Sequence, residues 1–334
     1  MRLCSIASGS SGNCIYVGSD NTHLLVDVGI SGKRVEQGLN SLELTGKDID
    51  GILITHEHSD HIKGLGVIAR KHQIPVYATE GTVEALSHMN LGKMPEGIFR
   101  EIHEDEPFEI NDLTVNPFTI PHDAAQPVGY RVECGEHSVG IATDLGKYNE
   151  YIVGNLQNLD ALLLEANHDI RMLQVGKYPY YLKQRILGDR GHLSNENAGR
   201  LLCRLLHDNM KGIFLGHLSR ENNYEELAYE TVCSEVTLGD NKELMKKTII
   251  TVVGNDTVGI IAKVCTYLAD NNVNILDISQ TIVQGYFNMM MVTDASKCEK
   301  DNGVLAKELE ALGDKIGVVI RCQHEDIFNV MHRI

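Results

Sequence analysis

The segment Thr55-His56-Glu57-His58-Ser59-Asp60-His61 decides how the first part of this chain folds and what it can bind. It follows Ile49-Asp50-Gly51-Ile52-Leu53-Ile54, an apolar run typical of a buried strand, so its side chains are expected in the loop that leaves that strand. Imidazole nitrogens and a carboxylate are ligands that zinc, manganese and iron use in proteins. His56 and His58 can reach one metal ion, and Asp60 and His61 can face a second. The spacing predicts a metal site, and the alternative is a polar turn that is merely rich in histidine.

The bulk composition is typical of an acidic globular chain with two domains. A length of 334 residues exceeds one average domain, and 43% hydrophobic residues with only 7 Pro fit sizeable cores. The net charge is −16, and residues 246–334 hold 9 Lys+Arg against 11 Asp+Glu, which leaves −14 on residues 1–245. So acidic a first domain excludes nucleic-acid binding through a global positive field. A polyanionic substrate would need a local basic patch together with metal.

The sequence contains no targeting or membrane signal. Its apolar runs are far shorter than the roughly 18 residues of a membrane span, and the first ten residues lack the apolar core of a signal peptide. The eight cysteines are scattered and form no CxxC pair. These features predict reduced thiols, a cytoplasmic location and no membrane partner.

The apolar periodicity predicts an α+β chain with domains at residues 1–244 and 245–334. The first domain has two sets of strands with outer helices, which predicts an αββα sandwich. Its strands are expected within 3–28, 49–54, 76–78, 98–143, 159–165 and 212–215, and its helices at 32–44, 62–72, 82–89, 195–209 and 224–232. At Met245-Lys246-Lys247, which resembles an open-reading-frame start, the pattern resets to a βαββαβ unit of ferredoxin-like layout.

Further metal ligands are expected at the ends of other strands of the first domain. His122 follows Thr119-Ile120-Pro121, Asp144 follows Gly140-Ile141-Ala142-Thr143, and His217 follows Ile213-Phe214-Leu215-Gly216. A carboxylate that bridges two cations is the natural role for Asp144. Each of these residues taken alone fits a structural loop role better, but beside the histidine-rich loop they favour ligands.

Here the chain resembles the metallo-β-lactamase superfamily, whose HxHxDH motif His56, His58, Asp60 and His61 match. The segments 8–13, 121–124, 165–169, 191–195 and 216–223 are similar to its YycJ/WalJ group of exonuclease-like phosphodiesterases, over about residues 2–238. The resemblance implies that His56, His58 and His122 hold one metal ion and that Asp60, His61 and His217 hold the other. Asp144 and a water or hydroxide would then bridge the two ions.

The implied chemistry is phosphodiester hydrolysis. Two cations about 3.5–4 Å apart stabilise both the attacking and the leaving oxygen, and the bridging hydroxide, formed because the pKa of bound water falls towards about 7, is the nucleophile. Asp60 is expected both to bind metal and to orient this hydroxide. Asp27, at another strand end, is expected to support a ligand histidine rather than bind metal itself.

A second catalytic pair is implied by the resemblance to RNase Z-type enzymes. Carried over, His192 donates a proton to the leaving oxygen and Glu165 orients it. The alternative is that His192 only contacts its own loop before a helix. Ser194 is expected to cap that helix, with Asn197 as its partner, and Ser194 and Asn195 are candidates for binding a substrate phosphate at the helix terminus. His168 is expected either to support the site or to lie on the surface.

The segment from Lys177 to Arg190 supplies the local basic patch that the charge distribution requires. Lys183, Arg185 and Arg190 are candidate phosphate contacts, and the neighbouring tyrosines can stack on bases. The alternative for the tyrosines is a helix that packs on the core.

Residues 246–334 resemble an ACT domain through segments 253–260 and 274–280. The resemblance implies a homodimer and an amino-acid ligand at the first strand–helix turn, held by Asn255, Asp256 and Gly259, where glycine lets a ligand approach the backbone. The alternative is a dimerisation module in which Asp256 and Thr257 only cap the helix.

The leading hypothesis is therefore a dinuclear metal phosphodiesterase, an exonuclease that acts on DNA rather than RNA with 5′–3′ polarity, and with Zn, Mn or Fe as cofactor. The alternatives are a thioester or lactone hydrolase of the glyoxalase II type, and a non-catalytic amino-acid-responsive regulator. The first domain also ends soon after residue 232, earlier than is expected for the group, which usually continues into at least one closing strand.

Overall fold

The computed structural model of the chain describes residues 1–238, 247–255, 257–283, 286–295, 297–298, 300 and 302–324. The chain divides into two units, Met1–Val232 and Cys233–Ile334. The predicted boundary between residues 244 and 245 falls within 239–246, outside the described residues, so that boundary stays a prediction. Within the described ranges, no helix is both long and apolar enough to cross a bilayer.

The first unit contains a six-stranded sheet whose strands lie side by side in chain order. These strands are β1 Arg2–Ala7, β2 Cys14–Gly18, β3 His23–Val26, β4 Gly51–Leu53, β5 Val76–Thr79 and β6 Phe99–Ile102. The first three are antiparallel, and from β3 onwards the neighbours are parallel. Its intervening helices are α1 Gly32–Ser41, α2 Ser59–Ile62, α3 Leu65–His72 and α4 Glu80–Ser87.

A second six-stranded sheet repeats this plan. Its strands are β7 Phe108–Ile110, β8 Leu113–Thr119, β9 Val128–Cys134, β10 His137–Ala142, β11 Ala161–Glu165 and β12 Gly212–Gly216. Pairing is antiparallel up to β10 and parallel from β10 through β12. The accompanying helices are α5 Glu150–Leu156, α6 Ile170–Val175, α7 Tyr180–Leu187, α8 Asn195–Leu205 and α9 Glu225–Leu238.

Side-chain alternation along the strands assigns the two sheets to one sandwich. On β2, Ile15 and Val17 pack in a cluster with residues of β8, β9 and β10, whereas Tyr16 between them packs with residues of α1 and α3. The inner faces of the sheets therefore meet, and helices cover the outer face of the first sheet. Burying each such aliphatic side chain contributes about 1.5–3 kcal/mol to folding. The predicted αββα class is confirmed.

The second unit has the predicted βαββαβ order. Its elements are β13 Lys247–Asn255, α10 Ile260–Asp270, β14 Asn274–Val283, β15 Tyr286–Asp294, α11 Asn302–Ile316 and β16 Val318–His324. The strands form one antiparallel sheet in the order β14-β15-β13-β16. Its core includes Ile250, Val252, Val264, Met289 and Leu309. The predicted ferredoxin-like class of this unit is confirmed.

Two details differ from the sequence-based expectations. The helix expected at 62–72 is two short helices, α2 and α3, and α5 and α6 were not expected. In the second sheet β12 is an edge strand, and no other strand of the described residues pairs with its free side.

Candidate metal centre

The seven predicted ligands come together at the ends of strands from both sheets. The loop after β4 brings His56, His58, Asp60 and His61, and the residues beyond β8, β10 and β12 bring His122, Asp144 and His217. Three of the groups whose ligand atoms all lie within 4.8 Å of one another are His56/His58/His122, Asp60/His61/His217 and His56/His61/Asp144. The last group shares residues with both others, which is the arrangement expected of a bridged pair of sites. Their role as metal ligands stays a prediction.

Four of the histidines present the same ring nitrogen, Nε2, to the site. In each of them Nδ1 donates to a neighbouring acceptor. His56 donates to the Thr55 hydroxyl at 3.0 Å, and His61 donates to Asp27 at 2.7 Å. His122 donates to the Gly191 carbonyl at 3.1 Å, and His217 donates to Glu165 at 2.7 Å. Each Nε2 atom is therefore directed away from the supporting bond and into the cluster. This fixed orientation is the usual support for metal-binding imidazoles.

Two buried polar atoms in the cluster lack hydrogen bonds. His56 Nε2 has no partner, and Asp144 Oδ2 lies 3.0 Å from His61 Nε2 without the alignment of a hydrogen bond. Leaving such atoms unpaired in the interior is costly. Nitrogen and carboxylate donors that converge on one point suit a divalent cation such as zinc, manganese or iron. The residues present therefore fit the predicted metal ions.

The buried imidazoles and carboxylates of the cluster shift one another's pKa values. Burial, and next the proximity of His61, hold the pKa of His56 well below its usual value, so this imidazole is neutral at pH 7. Burial alone would lower the pKa of His61, but the Asp144 and Asp27 carboxylates raise it to about 10. Although burial opposes it, the His217 and His61 imidazoles hold the pKa of Asp144 well below its usual value. The cluster thus balances carboxylates against imidazoles.

Asp27 occupies the supporting position expected for it. Its Oδ2 accepts from His61 Nδ1, its Oδ1 accepts from the Thr55 amide at 2.9 Å, and the Thr55 hydroxyl donates to Oδ2 at 2.8 Å. Two further residues that sequence reasoning missed contact this group: Thr55 reaches both Asp27 and His56, and Asn13 Nδ2 lies 3.0 Å from His61 Nε2. Asn13 belongs to the glycine- and serine-rich segment 8–13, which was noted only for its resemblance.

Glu165 joins the predicted acid His192 to the predicted ligand His217. Its Oε1 accepts from His192 Nδ1 at 2.9 Å and from His217 Nδ1 at 2.7 Å. Its Oε2 accepts from the amides of Leu145 at 2.7 Å and Leu193 at 3.0 Å. Burial would raise the pKa of Glu165, but the His192 and His217 imidazoles lower it to about 2. The expected contact with His192 is present, and the contact with His217 was not expected.

Ser194 and Asn195 lie away from the surface that a substrate could reach. Ser194 caps α8, since its hydroxyl accepts from the Asn197 amide at 3.3 Å, as expected. Asn195 is fully buried and its side-chain amide pairs with that of Asn223. Asn223 also donates to the carbonyls of Ala166 and Asn167, so these amides tie three loops of the site together. This burial speaks against direct substrate contact by Ser194 and Asn195.

His168 is buried, so the alternative of a surface position is wrong. Neither ring nitrogen has a hydrogen-bond partner, and burial lowers the pKa of this imidazole to about 4. Its backbone carbonyl accepts from the Asn195 amide.

An open cavity of about 230 Å³ borders the ligand cluster. His58, Asp60, Asp144, His192 and His217 form part of its wall, and Tyr178, Leu182, Arg185 and Ile186 on and before α7 form another part. Of the basic candidates, Arg185 lines the cavity and pairs with Asp123. Lys183 instead donates to the Gln174 carbonyl, and Arg190 donates to the His122 carbonyl from outside the cavity.

The tyrosines of this segment do not pack on the core. Tyr180 and Tyr181 are 77% and 75% exposed, which rules out the core-packing alternative for both. The sequence did not single out Tyr178 or Asp123, although both border the cavity.

The predicted effector turn is described only in part. Asn255 ends β13 and is exposed, and Gly259 is the residue before α10, with a left-handed φ of 96°. An added Cβ at Gly259 would meet little but Lys263 Cε at 3.8 Å, so the backbone there is open to a ligand. Asp256 lies outside the described residues. Since Gly259 is the N-cap residue, Thr257 does not cap this helix.

Comparisons with known proteins cover both units. A family model for the β-lactamase superfamily domain matches residues 22–210, and one for the ACT domain matches residues 246–323. Exodeoxyribonuclease YycJ of Bacillus anthracis is 43% identical over 232 residues, which covers 70% of this chain and 88% of that protein. A UPF0237 protein of Bifidobacterium longum is 67% identical over 90 residues, 27% of this chain and 100% of that protein.

One solved structure supports the fold of the larger unit. The metallo-β-lactamase fold protein YhfI of Bacillus subtilis matches with a TM-score of 0.54 and 18% identity, over 71% of this chain and 91% of that chain. At this identity the likeness shows the fold alone.

Proposed function

Since the chain belongs to the metallo-β-lactamase superfamily and carries a C-terminal ACT domain, we propose that it is a dinuclear metal-dependent phosphodiesterase that removes nucleotides from an end of DNA. Its homology to YycJ supports a metal-dependent hydrolase, and the name of that relative favours DNA as substrate and an exonuclease activity. The 5′–3′ polarity is part of this proposal.

The ligand groups support two ions in this proposal. His56, His58 and His122 would hold one, Asp60, His61 and His217 the other, and Asp144 would contact both. When bound there, divalent cations stabilise the charge that develops on the phosphate oxygens and lower the pKa of water. Asp60 lines the cavity with its side chain 27% exposed, so its carboxylate can also orient an attacking water.

The hydrogen bond between Glu165 and His192 is the observation that favours a phosphodiester substrate. The Nδ1–H of His192 donates a hydrogen bond to Glu165, so a proton for a leaving oxygen must come from Nε2 of the imidazolium form. Although burial opposes it, the Glu165 carboxylate raises the pKa of His192, which favours that form. An alkoxide that leaves from phosphorus needs this proton. The thiolate released from a thioester does not, because the pKa of its thiol is only about 8.5. The pair therefore favours phosphodiesters over thioesters.

The test begins with metal analysis of the purified full chain, followed by end-labelled DNA and RNA that carry 5′-phosphate or 5′-hydroxyl ends. We expect stepwise release of nucleotides from DNA by the wild type and loss of that activity in His58→Ala. Metal-loaded wild type that leaves every nucleic acid intact would contradict the proposal. A thioester included in the panel tests the alternative, since turnover of that substrate alone would support a glyoxalase II-type hydrolase.

For the ACT unit we propose a homodimer with an amino-acid ligand. Its sheet has β14 and β16 at its edges, and Leu276 and Ile278 on β14 are 48% and 44% exposed. Such exposed apolar edges are suited to pairing with a second copy. Light scattering measures the mass, and calorimetry with the twenty amino acids measures the ligand. A monomeric mass would contradict the dimer, and the absence of heat with every amino acid would contradict the ligand.

We also propose a reducing compartment, the cytoplasm, for this protein. The eight cysteines are scattered along the sequence without a CxxC pair, and such thiols persist where the surroundings keep them reduced.

A further inference from the structure

The ion pair between Asp123 and Arg185 stands at the cavity and has no part in the chemistry described so far. Arg185 Nε donates to Asp123 Oδ2, and the two side chains are 55% and 30% exposed. Of the described residues that line the cavity, Arg185 is the single lysine or arginine. It therefore supplies the one permanent positive side chain in a cavity that also contains Asp60, Asp123 and Asp144.

The guanidinium is only partly used by this pair. Its Nε is bonded to Asp123, and among the described residues no acceptor is bonded to its Nη1 or Nη2. Two adjacent N–H donors on a planar group match two oxygens of a phosphate. Asp123 holds the guanidinium at the cavity and leaves these two donors without a partner among the described residues.

Asp123 also connects Arg185 to the ligand cluster. It follows His122 in the chain, and its Oδ1 is buried, without a hydrogen bond, 3.5 Å from His122 Nε2. His122 in turn donates to the carbonyl of Gly191, the neighbour of His192. The arginine is thus fixed beside the same cavity that the proposed acid His192 borders.

We propose that Arg185 is a phosphate clamp, which grips the phosphate next to the scissile one along the nucleic-acid strand, and that Asp123 is its internal competitor. This inference rests on the proposed nuclease function. An incoming phosphate takes the free Nη donors and replaces part of the Asp123 contact. Asp123 therefore orients the arginine and limits how tightly the strand is held.

The test measures binding of a labelled single-stranded oligodeoxynucleotide to the metal-loaded full chain by fluorescence anisotropy, with a phosphorothioate linkage at the terminal position to slow cleavage. Arg185→Ala should weaken binding by roughly tenfold, the size of a charged hydrogen-bond pair. Asp123→Asn should act in the opposite direction and tighten binding by about threefold, because it removes a partly exposed competing charge. Arg204→Ala serves as the matched control, since Arg204 pairs with Glu150 at the surface and does not line the cavity.

A second arm replaces single phosphates near the strand end by uncharged methylphosphonates. In the wild type one position should weaken binding by roughly tenfold, and in Arg185→Ala that same replacement should have no further effect. The clamp is overturned if Arg185→Ala binds like the wild type, if Asp123→Asn weakens binding, or if the methylphosphonate effect is unchanged in Arg185→Ala. Wild type that cleaves DNA while these variants behave alike refutes the clamp alone, and wild type that neither binds nor cleaves DNA refutes the nuclease proposal as well.

Discussion

At the scale of the residue, Glu165 holds two groups with different tasks. One oxygen accepts from both His192 and His217, while the other is fixed by two backbone amides. A glutamine in its place offers one acceptor oxygen and one donor NH2 group, so it cannot serve all four donors. The proposed acid and a proposed metal ligand therefore depend on the same carboxylate.

This shared dependence predicts different metal contents for two variants. His192→Ala should lower kcat on DNA by about 10²- to 10⁴-fold, the usual contribution of a general acid, with the metal content unchanged. Glu165→Gln should lower kcat at least as far and also lower the metal content, because His217 loses its support. Elemental analysis after dialysis measures the metal. Full metal content in Glu165→Gln would show that His217 does not need this contact.

Asp27 offers a second test, in which the substitution hardly changes the shape of the side chain. It lies directly after β3 with a left-handed φ of 61°, a conformation that asparagine also adopts readily. Asp27→Asn keeps the backbone but replaces the carboxylate that accepts from His61. We expect metal affinity to fall by about 10- to 100-fold, as measured by competition with a chromophoric chelator. Asp48→Asn, which removes a carboxylate bonded only to Thr45, is the control and should bind metal like the wild type.

The sequence was most informative where ligands follow strands. His122, Asp144 and His217 could be predicted because strand ends of packed sheets meet at one edge. The burial of Asn195 could not be predicted, since its amide pairs with Asn223, a residue 28 positions away. The direction of Lys183 likewise depends on the path of the chain near Gln174. Local patterns identify residues that are placed by one element, and not those placed by contacts between loops.

At the scale of the element, α7 presents two different faces. Leu182, Arg185 and Ile186 line the cavity, at spacings of three and four that share one helical face. Tyr180 and Tyr181 are exposed beside them. Exposed rings next to a cavity are suited to stacking on the bases of a single strand.

Removing those rings should therefore weaken DNA binding. We expect Tyr180→Ala and Tyr181→Ala each to lower affinity for single-stranded DNA, by about 1–3 kcal/mol for a ring that stacks on a base. Tyr180→Phe and Tyr181→Phe keep the ring and should bind like the wild type. Fluorescence quenching of a base analogue near the strand end reports the stacking directly. Alanine variants that bind as well as the phenylalanine variants would leave α7 without this role.

Short helices were the elements that the sequence did not predict. Helices α5 and α6 have 7 and 6 residues, too few for an apolar period to repeat. Their first residues follow Asn149 and Asp169, whose side chains accept from the amides of Ile152 and Met172. These caps were the available signal, but a cap without a periodic run after it is equally typical of a turn.

At the scale of the whole molecule, all candidate metal ligands lie in the first unit, and each unit has its own core. The two domains could be predicted from the change of pattern. The compact units divide after Val232, and the predicted boundary between residues 244 and 245 lies outside the described residues. A single helix, α9, runs across that division, and a helical period contains no mark of where one core ends.

Metal should consequently stabilise one unit and not the other. Scanning calorimetry of the full chain should show a transition that rises on metal loading, with about 4 kcal/mol expected at a metal concentration 1,000-fold above Kd. A second transition, from the ACT unit, should stay at the same temperature with metal or with EDTA. A second transition that moves equally with metal would mean that the units unfold together.

The change from antiparallel to parallel pairing at β3 and again at β10 has a consequence for how such a protein can vary. Asp27 follows β3 and Asp144 lies just beyond β10, both with left-handed backbones, so the two carboxylates occupy equivalent places in the two sheets. Strand order fixes these places, and the segments between strands do not. A chain of this topology can exchange the segment that carries α7 while Asp27 and Asp144 keep their places at the strand ends.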